Sequence, residues 1–373
     1  MLFTVSTIKD TLPHVQRFVT GNLAGGADHL VVFLDAGDPD VRSFLDEHPH
    51  VTCVRTDKSW WHGDRPAELN VRQRINANVV KALLSLVEGA EWVFHVDGDE
   101  ILQVDRAALA EVPASTRVVK LAPLEAVSQR SWDGDPTWFK QLLGKGDLTL
   151  LSTLGVIDRP SNGALFHGHV DGKSGVRPAL DVWLTLHLGV DADGTELAAH
   201  TDDRLRLLHY ESFSGEDFVR KWTAILAAGP MANFRPAREP TAVALAALIG
   251  KGLSEEQATP YLMRIFERTT LDDLDTLRDL GLLVEADPST GTHVPQDWPD
   301  GAREHFEELL QRVASQDKRD FHPGRPESSA QAVLDRVAGD GGADGGADGG
   351  ADGGAGGGAD GGVRGARSFL RRS

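Results

Sequence analysis

Cysteine is nearly absent from this chain of 373 residues, because Cys53 is the only one. A single cysteine excludes an internal disulfide and a metal site built from several thiolates. Long apolar runs are also absent, since none approaches the roughly 18 residues that a membrane-spanning helix needs. The first residues, Met1–Ile8, lack the basic start and the long apolar stretch of a signal peptide. From these absences we expect a cytoplasmic protein.

Positive charge is scarce, and 38 Lys and Arg against 56 Asp and Glu give a net charge of −18. The last 36 residues hold five Asp and four Arg, which leaves −17 for the rest of the chain. Such an acidic body argues against nonspecific nucleic-acid binding, which depends on neutralisation of phosphates by Lys and Arg. The four arginines near the end support at most a peripheral contact with an anionic membrane surface.

Residues 338–373 begin with a run composed almost entirely of Gly, Ala and Asp. Such a run has no apolar surface to offset the entropy lost on ordering, which predicts a disordered low-complexity tail. Residues 241–313 have a helical pattern with an interruption between Pro288 and Pro299. We therefore predict three segments: a larger domain over 1–235, a helical extension over 236–337 and the tail.

Strand-like and helix-like patterns alternate in the first part of the chain. The apolar runs Leu2–Ile8, His29–Leu34 and Val51–Arg55 predict strands, and Leu12–Leu23 and Val41–Glu47 predict helices between them. Short connections between strands and helices are typical of an α/β protein with a mostly parallel sheet. The long polar loop that follows contains Trp60 and Trp61, which indicates either a functional loop or a packed corner.

The segment Trp92–Leu102 joins a strand to an acidic cluster. Five largely apolar residues predict a buried strand, and Asp97, Asp99 and Glu100 follow it at once. Three buried carboxylates without partners would cost several kcal/mol each, so they belong at the end of the strand, in water or on a cation. Mg²⁺ and Mn²⁺ prefer oxygen ligands, which makes this turn a candidate metal site. The alternative is a solvated Asp-Gly turn.

Other polar groups suit a nucleotide diphosphate. Asp35 and Asp38 follow the second strand, where they can accept hydrogen bonds from a ribose or a base. Lys173, Arg177 and His209 can face the phosphates. The alternatives are that the two basic residues are solvated loop charges and that His209 is a satisfied core histidine.

These residues carry a resemblance to the glycosyltransferases of family 2, with the GT-A fold, in the subgroup close to family 92. Each motif alone is short, and their common order from Val5 to about Lys221 makes the resemblance specific. The helical part after Pro240 is not covered. The motifs are Val5–Asp10 with Lys9 and Asp10 at its end, where Asp10 departs from the usual Asn; Phe33–Asp40; Arg72, Gln73 and Asn76; Trp92–Leu102; Gly172–Arg177 with His187; and Leu208–Tyr210 with Phe218 and Lys221.

The resemblance implies transfer of a sugar from a nucleotide-diphosphate sugar to a hydroxyl of a glycan or another acceptor. It implies inversion at the anomeric carbon, with Asp171 or Glu211 as the base that deprotonates the acceptor. It also implies Mn²⁺ or Mg²⁺ as cofactor, held by Asp97, Asp99 and His209. The remaining residues, together with Asp97, are expected to bind the nucleotide sugar: Lys9, Asp10, Asp35, Asp38, Arg72, Gln73, Lys173 and Arg177.

Two other functions remain open. A sugar-nucleotide transferase that makes the donor would need a glycine-rich basic loop after the first strand, and the segment Ser6–Asp10 has no glycine. A catalytically silent module that binds nucleotide sugars or glycans would have the same fold, and its mark would be loss of an acidic metal ligand. Both aspartates of the turn are present.

Overall fold

A computed structural model of the chain describes residues 1–35, 38–62, 65–227, 239–323, 325 and 327–339. Residues 1–338 form one compact unit. The predicted boundary between 235 and 236, and nearly all of the predicted tail, lie outside the described residues. The division into three segments therefore stays a prediction. In the described part, no helix is both long and apolar enough to span a bilayer.

The described residues contain twelve strands and twelve α-helices. The strands are β1 (Leu2–Ile8), β2 (His29–Leu34), β3 (Val51–Arg55), β4 (Trp92–His95), β5 (Glu100–Val104), β6 (Val118–Ala126), β7 (Trp138–Lys140), β8 (Lys173–Val176), β9 (Trp183–Leu184), β10 (Gly189–Val190), β11 (His200–His209) and β12 (Leu283–Glu285). The helices are α1 (Leu12–Ala24), α2 (Pro39–Glu47), α3 (Leu69–Leu84), α4 (Arg106–Glu111), α5 (Lys145–Thr153), α6 (Asn162–Leu165), α7 (Gly215–Ala227), α8 (Glu239–Ile249), α9 (Glu255–Thr269), α10 (Leu274–Asp279), α11 (Ala302–Ala314) and α12 (Glu327–Gly339).

Ten of the described strands form one mixed sheet in the order β12-β7-β6-β8-β4-β1-β2-β3, with β11 paired to both β6 and β5. The side made by β4, β1, β2 and β3 is parallel. Beyond β4 most pairings are antiparallel, and β11 against β6 is the parallel one. The prediction of an α/β protein with flanking helices is confirmed, and the architecture is consistent with the GT-A fold. The parallel arrangement extends only over the first part of the sheet.

Alternate residues of the central strands enter two apolar cores, one on each face of the sheet. In β2, Val31 and Phe33 pack with the apolar stripes of α3 and α11. Leu30 and Val32 pack on the opposite face with α1, α2 and α4. This period of two follows from the alternating direction of side chains along a strand. Both faces are covered, which explains why the strand sequences are apolar throughout.

Helix α1 covers the free edge of β5. The side chain of Asn22, which is fully buried, donates to the carbonyl of Glu100 and accepts from the amide of Leu102, both at 3.0 Å. The amide of Val104 donates to the carbonyl of Gly25 at 2.8 Å. A Cβ at Gly25 would lie 1.9 Å from the carbonyl oxygen of Leu102, so this close approach of helix and strand requires glycine.

The stretch expected to be all helical includes a strand. Residues Leu283–Glu285 form β12, which pairs with β7 at the edge of the main sheet. Its three residues are too few to display a periodic pattern in the sequence. Helices α8 and α9 pack with α7 around Phe218 and Phe266, which are both fully buried.

The tryptophans of the long loop are buried. Trp60 and Trp61 are 2% and 7% exposed, and the indole nitrogen of Trp60 donates to Asn76 of α3 at 3.1 Å. For these two tryptophans, the structure bears out the interpretation as a packed corner.

Candidate functional site

The acidic turn lies at the carboxyl end of β4, beside the end of β1. The amide of Asp97 donates to Oε2 of Glu100 at 2.7 Å, and the amide of Glu100 donates back to the carbonyl of Asp97 at 3.0 Å. The amide of Tyr210, just after β11, donates to the carbonyl of Asp99 at 2.9 Å. A Cβ at Gly98 would lie 3.3 Å from Ile8, so a larger residue would crowd β1. The turn is therefore held rigidly between three strands.

The carboxylate of Asp97 is bound on both oxygens. Gln73 of α3 donates to Oδ1 at 2.7 Å, and Nζ of Lys173 donates to Oδ2 at 2.6 Å. Lys173 is fully buried and also lies 3.5 Å from Glu100. Burial alone would lower the pKa of Lys173, but Asp97 and Glu100 raise it above its ordinary value. Gln73 and Lys173, which were predicted separately from Asp97, thus both donate to its carboxylate.

The carboxylate of Asp99 faces a different set of groups. Its Oδ2 lies 3.7 Å from Nε2 of His209, and the same nitrogen lies 3.7 Å from Oε2 of Glu211. Nζ of Lys221 on α7 donates to both of these oxygens at 2.6 Å. One ligand atom from each of Asp99, His209 and Glu211 falls within 4.8 Å of the others. Asp97 is not in this group, so the structure places it apart from Asp99 and His209, the other two predicted metal ligands.

Glu100 and His169 lie beneath the turn. Glu100 is fully buried, and Nε2 of His169 lies 2.6 Å from its Oε1. Burial would raise the pKa of Glu100, but Lys173, His169 and His209 lower it. The ring of His169 stacks on His209 at 4.8 Å, and Glu100, His169 and His209 form a second group of possible ligand atoms within 4.8 Å.

A buried ion network lies behind His209. Nζ of Lys140 lies 2.9 Å from Glu125, 2.9 Å from Asp272 and 2.9 Å from the carbonyl of Leu165. Glu125 accepts the backbone amides of His167 and Gly168 at 2.7 and 2.6 Å. It thereby fixes the loop that carries His169 and leads to Lys173.

Asp35, at the carboxyl end of β2, is saturated by cationic partners. Arg65 donates to both of its oxygens at 2.6 and 2.8 Å, and Arg72 donates to Oδ2 at 2.9 Å. Burial would raise the pKa of Asp35, but Arg65 and Arg72 lower it below its ordinary value. The predicted acceptor for a ribose is thus already engaged, and Arg65, with 44% of its side chain exposed, is the outermost member of this group.

Lys9 and Asp10 follow β1. Asp10 accepts from Arg220 of α7 at 2.8 Å, and Lys9 is exposed at the strand end. Asp38 caps α2 by accepting from the amide of Asp40 at 2.9 Å, and it is exposed. These three residues lie after β1 and β2 on the same edge of the sheet as the turn, because the strands are parallel to β4.

Arg177 is not brought to the turn. Strand β8 runs antiparallel to β4, so Lys173 is near the end of β4 and Arg177 is near its beginning. The guanidinium of Arg177 stacks on Trp92 at 4.2 Å and donates to the carbonyl of Val112 at 3.2 Å. Four residues of strand separate the two basic groups by about 13 Å. The predicted phosphate contact of Arg177 has no geometric support.

The two candidate bases have different surroundings. Asp171 is exposed on the loop before β8, in the same loop as His169. Glu211 is 3% exposed and is held by Lys221 and by Ser212, whose hydroxyl donates to it at 3.1 Å.

Several charged groups of the site were not predicted from the sequence. Arg65 lies in a loop without a motif, and Arg220 lies between Phe218 and Lys221 without belonging to their motif. Glu125 and Lys140 do carry a signal, because each is a charge inside an apolar run that becomes a buried strand. A charge in such a position needs a partner. Glu125 and Lys140 are partners of each other, and the second partner of Lys140, Asp272, is remote in sequence.

No known protein-family profile and no curated protein matches this chain. Among solved structures, a galactosyltransferase LgtC in complex with donor and acceptor sugar analogues is 12% identical over 48% of this chain and 58% of that chain, with a TM-score of 0.24. A second LgtC structure, of an active-site mutant, is matched over 49% of its length, so this chain spans only about half of the LgtC chain.

Two further similarities are as remote. The mannosyltransferase PcManGT from Pyrobaculum calidifontis, in complex with GDP-Man and Mn²⁺, is 13% identical over 90% of this chain and 85% of that chain, with a TM-score of 0.29. A protein from Bacillus anthracis described as a putative glucose-1-phosphate thymidylyltransferase, in complex with sucrose, is 12% identical over 48% of this chain and 72% of that chain, with a TM-score of 0.26. Structural neighbours of the chain thus include nucleotide-sugar glycosyltransferases. TM-scores this low do not establish which function the chain has.

Proposed function

We propose that the protein is a metal-dependent glycosyltransferase of the GT-A type that uses a nucleotide-diphosphate sugar. The observation that carries the proposal is the meeting, at the carboxyl end of β4, of the turn Asp97–Asp99 with Lys173, His209 and Glu211. Crevices at the carboxyl ends of strands are where α/β proteins bind ligands. Several motifs of the sequence resemblance contribute a residue here, among them Gln73, Lys173 and Lys221, whereas Arg177 does not.

The donor set of Asp99, His209 and Glu211 fits a divalent cation. The oxygen–nitrogen separations of 3.7 Å are shorter than twice a metal–ligand bond of about 2.1 Å, so one ion can contact both partners. Two carboxylates and an imidazole suit Mn²⁺ better than Mg²⁺, which favours oxygen alone. We therefore assign the predicted cofactor to Asp99, His209 and Glu211, with Asp97 held beside it by Lys173. A bound ion would neutralise charge on the departing diphosphate.

The residues after β1 and β2 are proposed to bind the nucleotide. Asp35 holds Arg65 and Arg72 at the edge of the sheet, and the partly exposed Arg65 presents hydrogen-bond donors there. Arg220 holds Asp10 next to them. In this arrangement the carboxylates position arginines, and the partly exposed Arg65 contacts the donor. Arg donors in a fixed fork suit phosphate and carbonyl acceptors.

We propose Asp171 rather than Glu211 as the base. In an inverting transfer the acceptor oxygen bonds to the anomeric carbon as the bond from that carbon to the diphosphate breaks, and the acceptor proton passes to a carboxylate. That carboxylate must reach the acceptor. Asp171 is exposed on the loop next to the site, whereas Glu211 is buried and held by Lys221.

One observation favours a second candidate, a silent module that binds nucleotide sugars or glycans. Both aspartates of the turn are paired with lysine ammonium groups at 2.6 Å, so the metal-free site is already neutralised. Binding without turnover would fit such a protein.

The experiment that tests the proposal compares a panel of UDP-, GDP- and dTDP-sugars with and without Mn²⁺, followed by thermal stability and by nucleotide release. A ligand that binds the native state raises its stability by mass action. We expect a Mn²⁺-dependent shift with one nucleotide, which Asp99→Asn abolishes, and release of that nucleotide, which Asp171→Asn abolishes while the shift remains. A shift without release, with every acceptor tested, would favour the silent module. No shift with any nucleotide would refute both.

A further inference from the structure

Lys221 occupies the position between the two acidic ligands of the proposed metal site. Its Nζ lies 2.6 Å from Oδ2 of Asp99 and 2.6 Å from Oε2 of Glu211. These are the same two oxygens that lie 3.7 Å from Nε2 of His209. The ammonium group therefore contacts the oxygen atoms that a divalent ion would use.

An ammonium group and a divalent ion cannot share these oxygens. A metal–oxygen bond of about 2.1 Å is shorter than the ammonium contact, and an ion bound to both oxygens would lie within contact distance of Nζ. Two cations so close repel strongly in a partly buried site. Binding of an ion at Asp99 and Glu211 thus requires the ammonium group to leave.

The other lysine of the site is held differently. Lys173 is fully buried and contacts both Asp97 and Glu100, so its departure would leave the fully buried carboxylate of Glu100 without this cation. Lys221 has 20% of its side chain exposed and can move its charge into water. The difference in burial indicates which of the two cations is exchangeable.

The backbone around Lys221 is anchored independently of the lysine. Phe218 and Trp222, on the same helix, are 0% and 3% exposed and pack against the bundle of α7, α8 and α9. Arg220 is paired with Asp10 and Asp217. Helix α7 can therefore stay in place while the flexible lysine side chain swings out.

We propose that Lys221 is a tethered cation that neutralises Asp99 and Glu211 in the metal-free protein and is displaced when a divalent ion binds. The inference rests on the proposed function for the choice of ion. It assigns Lys221 the role of a positioning residue that sets the affinity of the site for metal and keeps two close carboxylates from repelling each other before the metal arrives.

The test measures the affinity of the full chain for Mn²⁺ alone, by calorimetry and by the electron paramagnetic resonance signal of free Mn²⁺. Lys221→Met removes the competing cation, and we expect Mn²⁺ to bind at least about tenfold more tightly than to the wild type, because two charge-assisted hydrogen bonds no longer have to break. Lys221→Arg keeps a cation and should stay within about threefold of the wild type. Lys145→Met, the matched control, removes one exposed positive charge at the start of α5 without freeing Asp99 or Glu211, and should also change the affinity by less than about threefold.

A second measurement uses the wild type and does not depend on the folding of a variant. Reductive methylation of lysines, read by peptide mass spectrometry, should modify Lys221 faster when Mn²⁺ is saturating, whereas labelling of the buried Lys173 should not change. Equal or weaker Mn²⁺ binding by Lys221→Met, unchanged labelling of Lys221, or no Mn²⁺ binding by either protein would overturn the inference. Failure of the proposed function is a separate result: tighter binding by Lys221→Met with no turnover of any nucleotide sugar would leave the inference standing and refute the transferase.

Discussion

Replacement of Lys140 by methionine should expose how much the site depends on the buried ion network behind it. Lys140 is fully buried, and its ammonium contacts Glu125, Asp272 and the carbonyl of Leu165, each at 2.9 Å. Glu125 and Asp272 are 0% and 8% exposed, so neither can be solvated when the cation is removed. Loss of one partner of a buried ion pair costs about 3–5 kcal/mol, and we expect Lys140→Met to lower the free energy of unfolding by that amount at neutral pH.

The pH dependence of the free energy of unfolding distinguishes the loss of buried ion pairs in Lys140→Met from a simple loss of packing. Burial would raise the pKa of Asp272, but Lys140 and His167 lower it to about 2, and Lys140 also helps to lower the pKa of Glu125. In the wild type Asp272 stabilises the fold above its ordinary pKa near 4, and this contribution is lost as pH falls through about 2. Glu125 contributes in the same direction. Without Lys140, burial raises both pKa values, so that protonation on acidification relieves the unpaired charges. The difference in free energy of unfolding between Lys140→Met and the wild type should therefore become smaller as the pH falls from about 7 to about 4.

The assay is urea unfolding followed by circular dichroism at several pH values. Lys145→Met is the matched control, since Lys145 is exposed at the start of α5, and it should change the free energy of unfolding by less than about 0.5 kcal/mol. A penalty for Lys140→Met below about 1 kcal/mol at neutral pH, or one that stays constant on acidification, would refute the reasoning.

Two further predictions concern the histidine of the site. Burial would lower the pKa of His209, but Asp99, Glu100 and Glu211 raise it to about 9 from 6.5, so its stabilising charge is complete below pH 6.5 and is lost as pH rises through about 9. Urea unfolding of the metal-free wild type should show a loss of up to about 3 kcal/mol over that interval, and an equal loss in His209→Gln would contradict the assignment. Gly168→Ala would place a Cβ 2.3 Å from the ring of His209 and 2.8 Å from Glu125, and should cost about 1–3 kcal/mol in the same measurement. Gly163→Ala, whose nearest contact is 3.9 Å away, is its control.

The early elements were predictable because their signals are local. The apolar runs Leu2–Ile8, His29–Leu34 and Val51–Arg55 are strands with the predicted bounds. The helix expected over Leu12–Leu23 extends one residue further, to Ala24. The residues of β1 and β2 are buried throughout, and the buried side chains of α1 lie on one helical stripe, so the apolar pattern of the sequence reports burial directly.

The middle of the sheet was less predictable. Strand β6 begins in the apolar run at Val118 and continues to Ala126 through Pro123 and the charged Glu125. Locally, a proline and a charge both argue against a strand. Glu125 is tolerated because Lys140 neutralises it from another strand, and only the folded chain brings the two together.

The candidate site, like the fold, was predictable only in its local features. Asp97 and Asp99 were recognisable because they follow an apolar strand directly. Their different surroundings were not, since Lys173 and Lys221 come from β8 and α7. The position of Arg177 was missed for a related reason: spacing along β8 does not reveal the direction in which the strand runs. The roles of the individual site residues stay predictions until the binding experiments are done.

The contact between α1 and β5 also blocks pairing of a strand from another molecule along that edge of β5. The open edge of a sheet offers unpaired amides and carbonyls, which invite strand exchange and aggregation between molecules. Along β5 those groups are consumed within the chain by Asn22 and Gly25. Helix α1 therefore takes the place of a neighbouring strand along this edge of β5. The backbone groups next to the acidic turn that Asn22 and Gly25 bind cannot pair with another molecule, and the same contacts fix the position of Glu100 at the start of β5.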